Sequence, residues 1–202
     1  MKLGIDCDGV MYDFAGAFMR WLLKVGWFEE RGLEFPGIHF QPSKWEFYSD
    51  WGMSTAEFVD LCDQGVDAGL IFAEGDPYHG CKETIDYLSG EGHSIHIITH
   101  RMFGKRSTHN TVDWLKRYEI GFDTITFAKD KTIVDVDLLL DDYEGNWKAA
   151  LADDTPCVIM DHPWNQHLPA DRVYSWSQFA DYIDVQGASI TPEFRRFFSV
   201  DL

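Results

Sequence analysis

The residues Leu3-Gly4-Ile5-Asp6-Cys7-Asp8-Gly9-Val10 read as a short apolar strand that ends on two carboxylates and then turns. Carboxylates two apart on an extended backbone face the same side, about 7 Å apart. Gly9 permits a tight turn just beyond them. Two ionised carboxylates at that separation repel each other and need a cation or a shared proton. Mg2+ is the natural candidate, since it takes carboxylate oxygens, keeps several waters and binds substrate phosphate.

Working outward, further short apolar runs occur at residues 94–99, 124–127, 137–140 and 157–160. Helix-length amphipathic stretches separate them, such as 81–89, with Gly90 and Gly92 as a stop, and 108–118, which ends just before Gly121. Strands alternating with helices predict an α/β fold with a Rossmann-like, mainly parallel sheet flanked by helices. In such a sheet ligands bind at the carboxyl ends of the strands, where Asp6 and Asp8 fall. The spacing is uneven. After the first strand no second one is convincing before Ser94, and residues 14–25 and 55–65 have helical periodicity, with Ser54 or Thr55 as an N-cap before Glu57. This predicts a small helical cap over residues 14–75, inserted after the first strand of a core made of residues 1–13 and 76–202. There is no internal repeat or low-complexity linker.

The chain has 202 residues and a formal charge of −17, which weighs against long nucleic acid as a partner. A hydrophobic fraction of 45% and an aromatic fraction of 15% supply a sizeable core and exclude a disordered chain. No apolar run reaches the roughly 18 residues of a membrane span, and no signal-peptide core follows Met1-Lys2, so a cytoplasmic location is expected. Cys7, Cys62, Cys81 and Cys157 are widely spaced and are expected as free thiols. His93 and His96 lie on opposite faces of a predicted strand, which disfavours a shared metal.

Charge is also uneven along the chain. Residues 76–120 are formally neutral and contain Arg101, Lys105 and Arg106 just after the strand at 94–99. Two readings of this cluster stay open: an outer phosphate or nucleotide contact, for which Arg101 is nearest Thr99, or a solvated loop leading into a helix. A second acidic pair, Asp141-Asp142, closes the run at 137–140. Adjacent strand residues face opposite ways, so only one of the two is expected to point at a metal, unless the turn relaxes this. Thr99 offers a hydroxyl at a third strand end, and Lys131 is a cation shortly before Asp141.

These motifs resemble the haloacid dehalogenase superfamily. Its first motif, a strand ending in Asp-x-Asp, matches Asp6-Cys7-Asp8-Gly9-Val10, and its second, an apolar strand ending in Thr or Ser, matches Ile97-Ile98-Thr99. Lys131 and Asp141-Asp142 match the third and fourth. Within the superfamily the likeness is to the 5′(3′)-deoxyribonucleotidases, through Asp130-Lys131-Thr132 followed by an apolar strand and Asp-Asp, through Phe14, and through Asp161-His162-Pro163-Trp164-Asn165. The likeness covers most of the chain and is weak through residues 26–75. One departure is His100-Arg101, where those nucleotidases usually have Ser-Pro; it bears on phosphate and base contacts rather than on the core chemistry.

The resemblance implies a Mg2+-dependent phosphatase of (deoxy)nucleoside monophosphates. Asp6 is then the nucleophile, giving an aspartyl-phosphate, and Asp8 the general acid and base. The Asp6 carboxylate, the Asp8 main-chain carbonyl and Asp142 are expected to hold the metal, with Asp141 behind them or as the alternative ligand. Thr99 and Lys131 neutralise phosphoryl oxygens, while Phe14, His100 and Arg101 are expected on the substrate side. Two alternatives are a phosphatase of sugar phosphates, other small phosphoesters or nucleic-acid ends, and a non-catalytic binding protein on the same fold. Preferred base, 5′ or 3′ position, and sugar are left open. Most aromatics of the insert, including Trp21, Trp27 and Phe47, are expected in its own core; Trp45 and Trp51 are further candidates for substrate contact. Residues 190–202, with Phe194, Phe197 and Phe198, are expected to dock on their own domain or on a partner, which leaves a homodimer open.

Overall fold

The structure, a computed structural model, describes residues 1–189; the predicted docking of the phenylalanines near the carboxyl end lies outside them. In chain order its elements are β1 (Lys2–Ile5), α1 (Phe14–Lys24), α2 (Trp27–Glu30), a 3-10 turn (Phe47–Trp51), α3 (Thr55–Asp67), α4 (Cys81–Gly90), β2 (Ser94–Thr99) and α5 (Ser107–Arg117). There follow β3 (Thr124–Phe127), β4 (Leu138–Asp141), α6 (Glu144–Ala152), β5 (Cys157–Met160), β6 (Arg172–Val173) and α7 (Trp176–Ser189).

All strands are parallel and form one sheet in the order β3-β2-β1-β4-β5-β6. The predicted α/β class holds, and the sheet is wholly rather than mainly parallel. From β1 the chain steps outward through β2 and β3, then crosses back to place β4 on the other side of β1. The crevice between β1 and β4 is therefore the switch point at which such sheets bind ligands. Register decides what meets there. Ile5 lies opposite Leu140 and Ile97, and the Asp6 N–H continues the ladder to the Leu140 carbonyl at 3.0 Å, so Asp6 emerges beside Asp141. Gly4 is needed lower in the strand, where an added Cβ would press on Ile98 and Val136 at 3.1 Å.

Between β1 and α4 the chain forms helices and turns and, apart from isolated bridges at Tyr12, no strand among the described residues. Asp13 caps α1, accepting from the Gly16 N–H at 2.9 Å, and Ser54 caps α3, accepting from the Glu57 N–H at 3.2 Å. The inner face of α1 buries Phe18, Met19, Trp21 and Leu22, a contribution of about 1.5–3 kcal/mol for each large side chain. Trp51, predicted as a candidate contact, packs against Trp27, Phe28, Phe40 and Phe47 within this helical region. α3 is tied to α5 and to the loop before it at three points. Asp63 accepts from the Gly104 N–H and Asp67 from the Lys105 N–H, both at 2.7 Å, and Asn110 donates to the Val66 carbonyl at 2.8 Å.

Candidate active site

Asp6, Lys131, Asp141 and Asp142 meet at the carboxyl ends of β1 and β4. The Lys131 side chain is 3% exposed, and its Nζ lies 2.6 Å from both Asp6 Oδ2 and Asp141 Oδ2. Asp6, Asp141 and Asp142 each offer an oxygen within 4.8 Å of the others, and all three are buried. The alternation rule, which allows one of the adjacent acids to face the site, gives way here: β4 ends at Asp141, and the turn brings Asp142 round to the same point. Their surroundings still differ. Both oxygens of Asp141 are used, by Lys131, by the Tyr143 N–H at 2.9 Å and by Asn146 Nδ2 at 3.0 Å. No hydrogen bond or ion pair is made by the Asp142 carboxylate among the described residues.

Electrostatics follow from this crowding. Burial, opposed by Lys131 and assisted by Asp141 and Asp8, pushes the Asp6 carboxyl up to about 7. Burial and the neighbouring Asp141 and Asp6 raise Asp142 well above the usual carboxylate range. Burial disfavours the Lys131 ammonium, yet Asp141 and Asp6 outweigh it and hold the proton more tightly than normal. Three carboxylates against one ammonium leave a negative excess that protons or a cation must relieve. The donor set is all oxygen and suits a hard divalent ion such as Mg2+. Cys7, between the two first-motif acids, is pushed up to about 12 by burial and stays a thiol.

Asp8 has a different partner. Arg101 Nη1 lies 2.5 Å from Asp8 Oδ2, its Nε donates to Thr111 Oγ1 at 2.7 Å, and its guanidinium stands 4.0 Å from the centre of the Phe72 ring. Its side chain is 1% exposed, so the solvated loop, one of the two readings left open by the sequence, does not describe it. Lys105 and Arg106 do remain exposed. Burial raises the affinity of Asp8 for a proton, with Arg101 pulling the other way. Three atoms here are sealed from solvent without a partner: Asp8 Oδ1, Arg101 Nη2 and Thr99 Oγ1. Unpaired buried polar atoms are costly, and these are grouped at the ends of β1 and β2, where a polar ligand would satisfy them.

Phe14 sits half-buried within an aromatic group with Phe18, Phe58, Phe72 and Phe103. His100 is exposed at the end of β2. Trp45, 50% exposed, reaches across to Tyr143 at 4.5 Å and Trp164 at 6.3 Å, so it lies at the rim beside Asp142 rather than in the core of the insert. Sequence reasoning gave no role to Tyr143, Asn146, Thr111 or Phe72, which hold or border the charged residues. His96 bonds Thr124 and Ser94 within the sheet, the four cysteines are free, and the acids above form the only candidate metal cluster among the described residues. No described helix is long and apolar enough to cross a membrane. A groove of about 460 Å³ lined by residues 132–137 and 153–156 lies at the amino ends of β4 and β5, away from this site.

Comparison with known proteins agrees with this geometry. The family described as 5′ nucleotidase, deoxy (pyrimidine), cytosolic type C protein matches residues 1–189. A Chlorobaculum tepidum protein provisionally named a 5′(3′)-deoxyribonucleotidase is 28% identical over 90% of this chain and 89% of its own length. The human mitochondrial 5′(3′)-deoxyribonucleotidase is 26% identical over 88% of this chain and 79% of its own. Among solved structures, a haloacid dehalogenase family hydrolase from Deinococcus radiodurans, with bound phosphate and sodium, shares the fold. Its TM-score is 0.64 and its identity 16%, over 92% of this chain and 96% of that one. A Geobacter sulfurreducens hydrolase of the same superfamily has a TM-score of 0.57 at 18% identity, over 91% and 96%. The chain thus belongs to the 5′ nucleotidase, deoxy (pyrimidine), cytosolic type C family, which makes it a nucleotidase-type phosphatase, and it has the fold of the haloacid dehalogenase hydrolases.

Proposed function

We propose that this phosphatase is Mg2+-dependent and removes phosphate from (deoxy)nucleoside monophosphates through an aspartyl-phosphate on Asp6. The observation that carries the reading is the grouping of unpaired buried atoms, Asp8 Oδ1, Arg101 Nη2 and Thr99 Oγ1, near a carboxylate cluster that already holds a lysine. The names of the relatives supply the substrate class.

Asp6, the Asp8 main-chain carbonyl and Asp142 hold the metal, with Asp141 fixing Lys131 behind them. Mg2+, when bound, polarises a phosphoryl oxygen and offsets the acidic excess. An Asp6 oxygen attacks phosphorus while the sugar oxygen leaves with a proton from Asp8. Asp8 then takes a proton from water, which attacks the same phosphorus, releasing inorganic phosphate and regenerating the Asp6 carboxylate. Lys131, Thr99 and Arg101 stabilise the phosphoryl oxygens in both steps, each fixed donor contributing about 3–4 kcal/mol to the barrier change. Raised proton affinity suits Asp8 as the acid; Asp6 is raised by burial as well, against the pull of Lys131, and would be ionised by the bound metal.

Residues 14–75 act as the cap over this centre, with the half-buried Phe14, Phe58 and Phe103 forming the apolar side of the substrate pocket. In Asp6→Asn, phosphate release from a panel of nucleoside monophosphates with Mg2+ is expected to fall by at least about 10³-fold with an unchanged melting curve. Full turnover in that variant contradicts the mechanism, and faster release from sugar phosphates than from nucleotides contradicts the substrate class.

A further inference from the structure

We infer that residues 161–165, after β5, form a strap that fixes both sides of the metal site, with His162 and Asn165 as its positioning residues. The inference rests on the Mg2+ reading above and extends it to side chains that touch neither metal nor substrate.

The first side is the turn after Asp8. The Gly9 N–H donates to the Tyr12 carbonyl at 3.0 Å. Across a trans peptide the Asp8 carbonyl must point the opposite way, and no described residue donates to it. The Gly9 carbonyl in turn accepts from His162 Nε2 at 2.6 Å. A carbonyl only accepts, so the imidazole proton sits on Nε2. Gly9 is thereby held at both ends, and the direction of the Asp8 carbonyl is set with it. The position tolerates only glycine: its φ is +71°, and an added Cβ would lie 2.1 Å from Asp142 Oδ2. The turn and the Asp142 carboxylate therefore abut.

The second side is Asp142 itself. Asn165 is fully buried, and its Nδ2 donates to the carbonyls of Asp142 and Met160, both at 2.9 Å. Its Oδ1 accepts from the His162 N–H at 3.1 Å. One amide thus joins the backbone of His162 to the backbone of Asp142, while the His162 ring holds Gly9. The ring is kept in place by Trp164, stacked at 4.2 Å with 8° between planes. Arg172, on β6, pairs with Asp161 and donates to the carbonyls of Asn165 at 3.3 Å and Leu168 at 3.0 Å, which anchors the strap to the sheet. A plain folding brace has no reason to converge on the two backbone positions that present proposed metal ligands. Groups that orient ligands from behind typically contribute 10–100-fold to metal affinity.

The test titrates Mg2+ alone into the full chain by calorimetry, with phosphate and nucleotide absent. His162→Phe keeps a ring on Trp164 but removes the donor, and His162→Gln keeps a donor near the Nε2 position but removes the ring. Expected are a loss of Mg2+ affinity of about 10–100-fold in the first and a value within about threefold of the parent in the second. Melting curves without metal report folding of each. Parent-like affinity in His162→Phe, or affinity in His162→Gln as poor as in His162→Phe, overturns the strap. Asp142→Asn separates the two claims. If it abolishes Mg2+ binding while His162→Phe does not weaken it, the strap alone is wrong; if it binds Mg2+ undiminished, the metal reading falls and the strap with it.

Discussion

The two halves of the strand-end site face opposite electrostatic problems. Around Asp6, Asp141 and Asp142 three buried acids share a single lysine. Around Asp8 one acid meets one buried arginine, leaving polar atoms on both without partners. The first half lacks positive charge and the second lacks a ligand to bond. On the proposed function, a metal-bound phosphate ester would supply both at once, so neither half would act alone.

Removing Asp142 breaks the cation half hardest. Asp142→Asn is expected to lower kcat by about 10³-fold and to abolish the rise in Tm that Mg2+ gives. Without metal the same variant should melt a few degrees higher than the parent, because a buried carboxylate without a partner has been replaced by a neutral amide. A lower metal-free Tm counts against the charge argument. Arg101→Ala breaks the anion half and should reduce kcat/KM by about 10²-fold while leaving the Mg2+-dependent rise in Tm intact. Equal loss of both would show that the halves are not separable.

The two halves also differ in pH response. Asp6 is raised to about 7, and Asp142 and Asp8 are raised as well, mainly by burial. Between the unfolded carboxylate pKa of about 4 and those folded values, the native chain holds protons that the unfolded chain has released. Metal-free stability contributed by these groups therefore falls as pH rises through that window. On the proposed function Mg2+ would displace the same protons, so its gain in Tm should be several degrees larger at about pH 8 than at about pH 5.5. Melting with Mg2+ and with chelator at each pH measures this, and equal gains contradict it. The smallest effect is expected at the rim. Trp45→Ala should raise KM about threefold for nucleotide with kcat and Tm nearly unchanged; a change in kcat of that size instead would move Trp45 into the chemistry.

The parts legible in sequence were those encoded by local spacing. Asp6 and Asp8 on one strand end, alternating strands and helices, and the helical run before residue 76 all express periods of two and 3.6. Lys131 could be read only with its neighbours, since alone it resembles a surface lysine; its burial comes from the approach of β1 and β4. Arg101 was harder, because its burial depends on Phe72 and Thr111, which reach it from two other segments. The convergence of Asp141 and Asp142 depended on where β4 stops, a boundary that alternation does not give. Trp45 could be read only as a candidate, because the neighbours that fix its place, Tyr143 and Trp164, are about a hundred positions along the chain.

The crossing of the chain at β1 has a consequence for synthesis. Lys2 pairs with Ser94, and Leu3 pairs with Leu138, so the strand bearing Asp6 is made long before either neighbour exists. During translation it must stay unpaired, an apolar segment with open edges of the kind that aggregates or is held by chaperones. The helices that follow it can compact first through local contacts, whereas the sheet closes only after β4 emerges. Nascent chains released before residue 142 should therefore carry a folded helical region and no phosphatase activity, with Asp6 present but its surroundings still unmade.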